Sequence, residues 1–306
     1  MIIKEDVYKK AFEAKKNALR EKQTLRETAA AAAYNAEPRL TEIDRSLSSI
    51  GASLAIAALS GADVTNLKKQ SEALSREKKV LLDKFGVQDI KYNCPLCSDT
   101  GYVNGRICGC VKHLVAAFIA EEMSEEMPLG LSRFDNFDLK YYPDKDTKDG
   151  NPRRRMTKIF KTCYEYAFEF DPKTSGNLLF MGDAGLGKTH LTLAMVGKII
   201  EKGFVPVYGS AENLFSQIEK EKFTDGNRGA YDAMIKSDLL VIDDLGAEMA
   251  TPFSKSALYN LVNTRLLANR PTVINTNLTM KEIEARYTPR ISSRLIGSFA
   301  SHKFIG

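Results

Sequence analysis

The chain has 306 residues, 43% of them hydrophobic, and a formal charge of +5, a composition typical of a soluble globular protein with two or three units. No apolar run is long enough to span a bilayer, and the N-terminus lacks the apolar core of a signal peptide, so we expect a cytoplasmic protein without a membrane partner. The mild basic excess is compatible with a nucleic-acid partner but does not establish one. Five cysteines in such a chain argue against a disulfide framework.

Residues 1–90 predict a helical, partner-binding region. The run from Asp6 to Ala33 has no Gly or Pro and repeats small apolar residues at helical spacing. Pro38 breaks this run, a second amphipathic helix ends at Ser60-Gly61, and a third, with leucines at heptad intervals, closes at Phe85-Gly86. These helices could form a bundle or a coiled-coil hairpin that grips a partner protein. They could equally form a self-contained helical domain or an oligomerisation stalk.

Residues 91–120 contain a cysteine cluster that predicts a metal site. Two close pairs flank a hairpin-like stretch whose Asn104-Gly105 is typical of a tight turn. The four cysteines are Cys94, Cys97, Cys108 and Cys110. Four thiolates suit a closed, structural Zn²⁺ site, with an iron–sulfur cluster and four free thiols as the alternatives. The second pair is C-x-C, so His113 remains a possible substitute ligand, whereas Cys163 stands alone in a helical pattern and is expected to be buried.

Residues 121–155 are predicted to be a linker into a further domain at residues 156–306. The linker contains proline and a polar run, and we expect its aromatic residues Phe134, Phe137 and Tyr141 to pack against the following domain, or else beside an adenine base. A helix is predicted from Ile159 to Phe170. The turn Asp171-Pro172 then leads into the first core strand.

A complete G-x-x-x-x-G-K-T phosphate loop follows that strand. Its residues are Gly182, Asp183, Ala184, Gly185, Leu186, Gly187, Lys188 and Thr189, with His190 next in the helix. The glycines let backbone N–H groups point at the phosphates, and the helix adds its positive N-terminal end. Lys188 is expected to reach the β- and γ-phosphates and Thr189 to hold Mg²⁺. The motif therefore predicts binding of a nucleoside triphosphate with Mg²⁺.

Strand and helix patterns alternate downstream, which predicts a parallel sheet covered by helices on both faces. The strands are expected at 204–208, 238–244 and 272–277, with helices from about Glu212 and Ser254. The apolar run that ends in Asp243 suits a buried central strand whose carboxylate meets the phosphate loop. Asp243 is the candidate Walker B aspartate for Mg²⁺, and Asp244 is placed to polarise the attacking water.

Four stretches together resemble one family, the AAA+ ATPases of the DnaC/DnaI replicative-helicase-loader type and their relative IstB, the transposition helper. They are residues 182–191 (GDAGLGKTHL), 241–248 (VIDDLGAE), 274–278 (INTNL) and 290–295 (RISSRL). The resemblance covers roughly residues 130–306. It implies an α/β AAA+ P-loop fold, here preceded by the helical arm and the zinc knuckle.

The resemblance also implies roles for residues beyond the phosphate loop. Asn277 resembles sensor 1, with Asn275 as the second choice. Arg294 resembles the arginine finger, with Arg290 as the second choice, and because this finger acts in a neighbouring subunit it implies self-association through the ATP sites. Asp244 stands where many AAA+ enzymes have Glu, which suggests slow turnover. No arginine matches sensor 2, so we expect a reduced lid or a shortened sequence.

The function that the resemblance implies is ATP-dependent loading of a hexameric replicative helicase. The basic-aromatic segment 220–228, followed by Tyr231, is a candidate single-stranded DNA contact, or else an ordinary solvated helix and loop. Two alternatives remain: an IstB-like helper that acts with a transposase on DNA, and an assembly protein with vestigial hydrolysis. A cysteine knuckle is not general among IstB proteins, which favours the loader.

Overall fold

The computed structural model describes residues 4–60, 63–124, 132–223 and 229–306. Its contacts divide the chain into two units, one of residues 12–106 and one of residues 1–11 with 107–306. Within the described residues, no helix is both long enough and apolar enough to cross a membrane.

The three predicted N-terminal helices are confirmed. They are α1 (Lys4–Ala36), α2 (Arg39–Ser60) and α3 (Thr65–Lys84), and the break between the first two lies at Pro38 as expected. Helices α2 and α3 run antiparallel, since Arg39 pairs with Glu77 at 2.8 Å and Asp44 with Lys78 at 2.5 Å. A small apolar cluster of Ala33, Leu40 and Val87 closes the base of this hairpin. At the other end of the hairpin, where α2 ends and α3 begins, the described side chains are exposed or only partly buried.

A two-stranded hairpin, β1 (Tyr102–Val103) and β2 (Arg106–Ile107), lies between the two cysteine pairs, with Asn104 and Gly105 both at positive φ. Helix α4 (Gly109–Ser124) follows. Two 3-10 turns, Phe134–Asn136 and Leu139–Tyr141, then lead to α5 (Pro152–Glu169). Helix α5 begins seven residues before the predicted Ile159. Asn151 caps it by accepting from the backbone N–H of Arg154, and Pro152 takes the first turn, where its missing N–H costs nothing.

The predicted parallel sheet is confirmed. Its strands are β3 (Asn177–Met181), β4 (Pro206–Ser210), β5 (Leu239–Leu245), β6 (Thr272–Thr276) and β7 (Phe299–Lys303), in the order β4-β5-β6-β3-β7. The surrounding helices are α6 (Lys188–Glu201), α7 (Ala211–Phe223), α8 (Gly229–Lys236), α9 (Pro252–Leu267), α10 (Met280–Arg286) and α11 (Pro289–Ser298).

Three details of the sheet differ from expectation. Strand β4 starts at Pro206, two residues later than predicted, and β7 was not predicted. Strand β7 pairs with β3 on one side at the edge of the sheet, so only part of it is buried and its sequence FASHK has no apolar run. Strand β5 is buried from Leu239 to Asp243, as the apolar run predicts, but it is the second of the five strands, and the central one is β6.

The order of the strands positions the site. Strands β5, β6 and β3 are adjacent, and all strands of the sheet are parallel. Their carboxyl ends therefore meet at one edge, the usual place for ligands in α/β sheets. At that edge the phosphate loop follows β3, Asn277 follows β6, and Asp243 lies near the end of β5.

Candidate functional site

The phosphate loop joins β3 to α6 through glycines with left-handed backbones. Gly185 and Gly187 have φ of 80° and 83°, and Gly187 is the N-cap of α6. A side chain at Gly187 would place its Cβ 2.8 Å from the Tyr142 hydroxyl. That hydroxyl donates to the Leu186 carbonyl at 2.9 Å, so the linker braces the loop from outside. The loop needs glycine for its backbone conformation and for this close approach.

The predicted aromatic packing of the linker is seen for two of its residues. The Phe137 ring centroid lies 5.7 Å from that of Phe160 and 5.4 Å from that of His190. Phe134 also packs against Phe160, whereas Tyr141 is 87% exposed. His190 thus contacts the linker on the outer side of the phosphate loop.

Lys188 is 5% exposed and holds the loop together from inside. Its Nζ donates to the carbonyls of Gly182 at 2.6 Å and Asp183 at 2.7 Å, and to Asn277 Oδ1 at 2.5 Å. Burial lowers the pKa of this ammonium group, an effect that Asp244 and Asp243 oppose. All three N–H donors point at acceptors on the two strand ends, β3 and β6, between which a phosphate would lie.

Asp243 is 4% exposed and is surrounded by donors. Its Oδ1 accepts from Thr189 Oγ1 at 3.3 Å, from Asn275 Nδ2 at 2.7 Å and from the backbone N–H of Asp244 at 3.0 Å. Its Oδ2 accepts from the Tyr208 hydroxyl. Sequence reasoning missed Tyr208, because its contact with Asp243 depends on how β4 pairs with β5.

Asp244 has a different environment from its neighbour. Its side chain is exposed and its φ is +51°, a left-handed conformation that Asp tolerates better than most residues. Burial and the charge of Asp243 raise the pKa of Asp244, while Lys188 lowers it. A raised pKa favours a group that accepts a proton.

The two candidate sensor residues differ in how deeply they are buried in the sheet. Asn275 lies inside β6, fully buried, where it bonds Asp243 and accepts from Thr192 Oγ1 at 3.1 Å. Asn277 follows the end of β6 and touches Lys188. Only Asn277 therefore lies at the position where the phosphate loop and the strand edge meet. Its role as sensor 1 stays a prediction.

Arg294 lies on α11 and is held by α9. Its guanidinium donates to Asn263 Oδ1 at 2.9 Å and to the Tyr259 hydroxyl at 2.8 Å, and it lies 4.5 Å from the Tyr259 ring centroid. No described contact joins it to the phosphate loop of its own chain. Its role as an arginine finger stays a prediction. Arg290, the second choice, is exposed one turn earlier.

The four predicted cysteines converge. The sulfurs of Cys94, Cys97, Cys108 and Cys110 all lie within 4.8 Å of one another. Four ligands at 2.3 Å from one tetrahedral ion are about 3.8 Å apart, so this spacing fits a single Zn²⁺. A cluster that inserts several irons and sulfides between the thiolates would need a wider spacing. The cysteines could hold one metal ion, with zinc as the best fit.

A buried acidic residue supports the first cysteine pair. Asp99, 3% exposed, accepts from the backbone N–H groups of Asn93 at 2.7 Å and Cys94 at 2.9 Å, and from Lys15 Nζ at 3.0 Å. Although burial opposes ionisation, these donors lower the pKa of Asp99. The turn that presents Cys94 is thus fixed by the protein itself.

The predicted DNA segment is only partly described. Residues 224–228 lie outside the described residues, as do the side chains of Lys222 and Phe223. Tyr231 is partly buried against the main core, and its backbone N–H donates to Glu221 Oε2 at 3.1 Å. Contact with single-stranded DNA stays a prediction.

Residues 157–296 match the family model described as IstB-like ATP binding protein. The chain is 27% identical over 136 residues to the replicative helicase loader DnaC of Escherichia coli (strain K12), an alignment that covers 43% of this chain and 54% of that protein. It is 26% identical over 148 residues to the insertion sequence IS5376 putative ATP-binding protein of Geobacillus stearothermophilus, covering 48% of this chain and 53% of that protein.

The chain thus spans about half the length of these curated relatives. Among solved structures, the crystal structure of the DnaC helicase loader matches 56% of this chain and 98% of that chain, at 20% identity and a TM-score of 0.48.

Proposed function

We propose, on the premise that residues 157–296 belong to the IstB-like ATP binding family, that this protein is an ATP-dependent loader of a hexameric replicative helicase. The observation that carries its ATP-dependent part is the convergence of Lys188, Asp243 and Asn277 at one edge of the parallel sheet. The similarity of the ATPase domain to a helicase loader, and the helical region and cysteine knuckle that precede this domain, favour loading over the alternatives.

The phosphate loop would bind the phosphates through its backbone N–H groups and through Lys188. Thr189 and Asp243 are the residues that would hold Mg²⁺, which offsets phosphate charge when bound. They fit this ion because they offer a hydroxyl and a carboxylate already in contact at 3.3 Å. These oxygen donors are the ligand types that Mg²⁺ prefers.

Hydrolysis would need a base near the γ-phosphate and a cation to spread its charge. Asp244 is exposed beside Asp243 with a raised pKa, so it is suited to orient and deprotonate water. Asn277, which follows the neighbouring strand β6, would sense the γ-phosphate. Arg294 would complete the site of a neighbouring copy, which makes hydrolysis dependent on self-association. The shorter side chain of Asp244 is consistent with slow turnover, as in a switch.

The helical region would bind the helicase. Its α2–α3 hairpin exposes large apolar side chains near its far end, with Ile56 at 68% and Leu59 at 92% exposure. Apolar side chains grouped at one end of an element are typical of partner-binding surfaces. The cysteine knuckle, with Zn²⁺, would give the adjoining chain a fixed shape. Single-stranded DNA would bind near segment 220–228 and help to set when the helicase is released.

The test is capture of the host's hexameric replicative helicase by the full chain, with ATP or ADP. The double variant Ile56→Ser with Leu59→Ser should capture at least tenfold less helicase, because truncating the side chains that anchor an interface costs about 2 kcal/mol or more. Leu267→Ser is the matched control, since Leu267 is 79% exposed in the ATPase unit. Absence of capture by the unsubstituted chain in both nucleotide states would refute the loader.

The IstB-like helper is the second candidate, favoured by the family description and by the similarity to an insertion-sequence protein. It predicts ATP-dependent binding to DNA together with a transposase. The same capture experiment with the transposase encoded nearest to this gene separates the two functions.

A further inference from the structure

The Walker B candidate Asp243 is held by side chains that neither the sequence motifs nor the comparisons assign. Strands β4 and β5 pair in parallel with Tyr208 opposite Val241 and Ser210 opposite Asp243. Side chains alternate along a strand, so Tyr208, Val241 and Asp243 share one face of the sheet. Tyr208 therefore reaches along that face, and its hydroxyl meets Asp243 Oδ2.

The opposite oxygen of Asp243 is held by an amide of fixed orientation. Thr192 Oγ1 donates to Asn275 Oδ1 at 3.1 Å, which leaves the Asn275 NH₂ group to donate to Asp243 Oδ1 at 2.7 Å. Thr192 and Asn275 are both fully buried. An inverted amide would place two acceptors, Asn275 Oδ1 and Asp243 Oδ1, against each other.

A carboxylate offers about four acceptor positions. Four donors contact Asp243: Tyr208, Asn275, Thr189 and the backbone N–H of Asp244. The Thr189 contact is the longest, at 3.3 Å. Three of these donors share Oδ1, which has only two lone pairs, so a hydrated cation whose water donates to Oδ1 would displace Thr189 most readily. Thr189 is also the residue that would turn to Mg²⁺.

We propose that Tyr208 and the Thr192–Asn275 pair are positioning residues that clamp Asp243 in the rotamer needed for Mg²⁺. This inference rests on the proposed function, since it assigns a role in ATP-dependent metal binding. The clamp fixes both carboxylate oxygens while Thr189 exchanges between Asp243 and the ion. Asn275 is thereby assigned to the support of Asp243 and Asn277 is left to face the nucleotide.

The clamp predicts a specific defect in the requirement for Mg²⁺. The measurement is binding of a fluorescent ATP analogue to the full chain, first in EDTA and then across a Mg²⁺ titration. Tyr208→Phe should raise the Mg²⁺ concentration for half-maximal enhancement about tenfold, since a hydrogen bond to a charged group is lost. The affinity in EDTA should stay within about twofold, because Lys188 and the loop N–H groups are untouched.

Three further proteins sharpen the test. Tyr166→Phe is the matched control, because the Tyr166 hydroxyl donates to the Gly176 carbonyl at 2.9 Å and touches no site residue. Thr192→Val should raise the Mg²⁺ requirement in the same direction, and it carries the test if Tyr208→Phe does not fold. In an Asp243→Ala background, Tyr208→Phe should add no further change, because the acceptor of its hydrogen bond has been removed.

Wild-type Mg²⁺ dependence in both Tyr208→Phe and Thr192→Val would overturn the clamp. So would an equal loss of affinity in EDTA and in Mg²⁺, since that pattern shows general damage to the site. A wild-type chain that binds no ATP analogue in either condition would instead refute the proposed function, and the clamp with it.

Discussion

Replacing Lys188 with Ala tests the nucleotide site at the residue on which its geometry depends most. The ammonium group has three donors and three acceptors: the carbonyls of Gly182 and Asp183, and Asn277 Oδ1. A bound phosphate must take at least one of these donors. The cost of the substitution is then the loss of that charge-assisted bond, about 1.5–3 kcal/mol.

This free energy converts to a dissociation constant about 10 to 150 times higher, at a factor of ten for each 1.4 kcal/mol. The assay is equilibrium binding of a fluorescent ATP analogue with Mg²⁺ present. Lys198→Ala is the matched control, because Lys198 lies on the same helix but pairs with Glu201 at 2.8 Å on the outer surface. Control and wild type should bind alike.

Stability should respond much less than binding does. Water can replace the ammonium group at its acceptors, because Gly182 is half-buried and Asp183 and Asn277 are exposed. Thermal melting of Lys188→Ala without nucleotide should therefore stay within a few degrees of wild type. An unchanged dissociation constant would refute the assignment of Lys188 to the phosphates. A weakened constant with a collapsed melting temperature would assign the lysine to folding instead.

Substitutions at three other residues test separate parts of the proposal, and a substitution at a fourth residue tests the core. Burial and Asp243 raise the pKa of Asp244, so the acidic limb of the pH–rate profile for hydrolysis should lie at a higher pH than an ordinary carboxyl group would give. Asp244→Asn should abolish this limb. Asp244→Glu should raise turnover, and an unchanged rate would contradict the slow-switch reading. Cys108→Ser should release one zinc per chain, measured by metal analysis, whereas Cys163→Ser should keep it; equal zinc contents would contradict the knuckle. Arg294→Ala should lose hydrolysis at least a hundredfold yet regain part of it when mixed with Lys188→Ala chains, which supply the finger; absence of any rescue would contradict action in trans. Arg265→Met should lower the free energy of unfolding, measured in urea, by about 3–5 kcal/mol. The guanidinium is fully buried, and its removal leaves buried acceptors without a donor, including the Met234 and Pro271 carbonyls at 2.6 Å. A loss below about 1 kcal/mol would contradict this role.

The layers of the fold followed from sequence because each left a local signal. The glycine-lysine-threonine pattern requires a strand before it and a helix after it, and β3 and α6 occupy those places. Strand β7 left no such signal, since it contacts one neighbour and carries polar residues at its exposed positions. The start of α5 has a local signal, the Asn-Pro pair that caps the helix. The prediction missed it because it relied on the hydrophobic spacing, which begins at Ile159.

The support of Asp243 could not be predicted in the same way. Tyr208 reaches Asp243 from the neighbouring strand, so the contact depends on how β4 and β5 are paired. Strand β4 starts two residues later than predicted, and its pairing with β5 was not predicted. A shift of one residue would have pointed this tyrosine to the opposite face of the sheet. Contacts between strands that are distant in sequence carry no local periodicity.

The choice between Asn275 and Asn277 shows how depth decides what periodicity leaves open. Residues two apart on a strand share a face, so alternation alone assigns both amides to the same side. Strand β6 ends at Thr276, and Asn275 is enclosed by Thr192 and Asp243 inside the sheet. Asn277 lies just beyond the last strand residue, where the Lys188 ammonium group can reach it. We therefore expect the two asparagines to differ in function, because one lies within the strand and the other past its end. Asn277→Ala should weaken the response to the γ-phosphate, measured as the ratio of ATP to ADP affinity, while Asn275→Ala should raise the Mg²⁺ requirement.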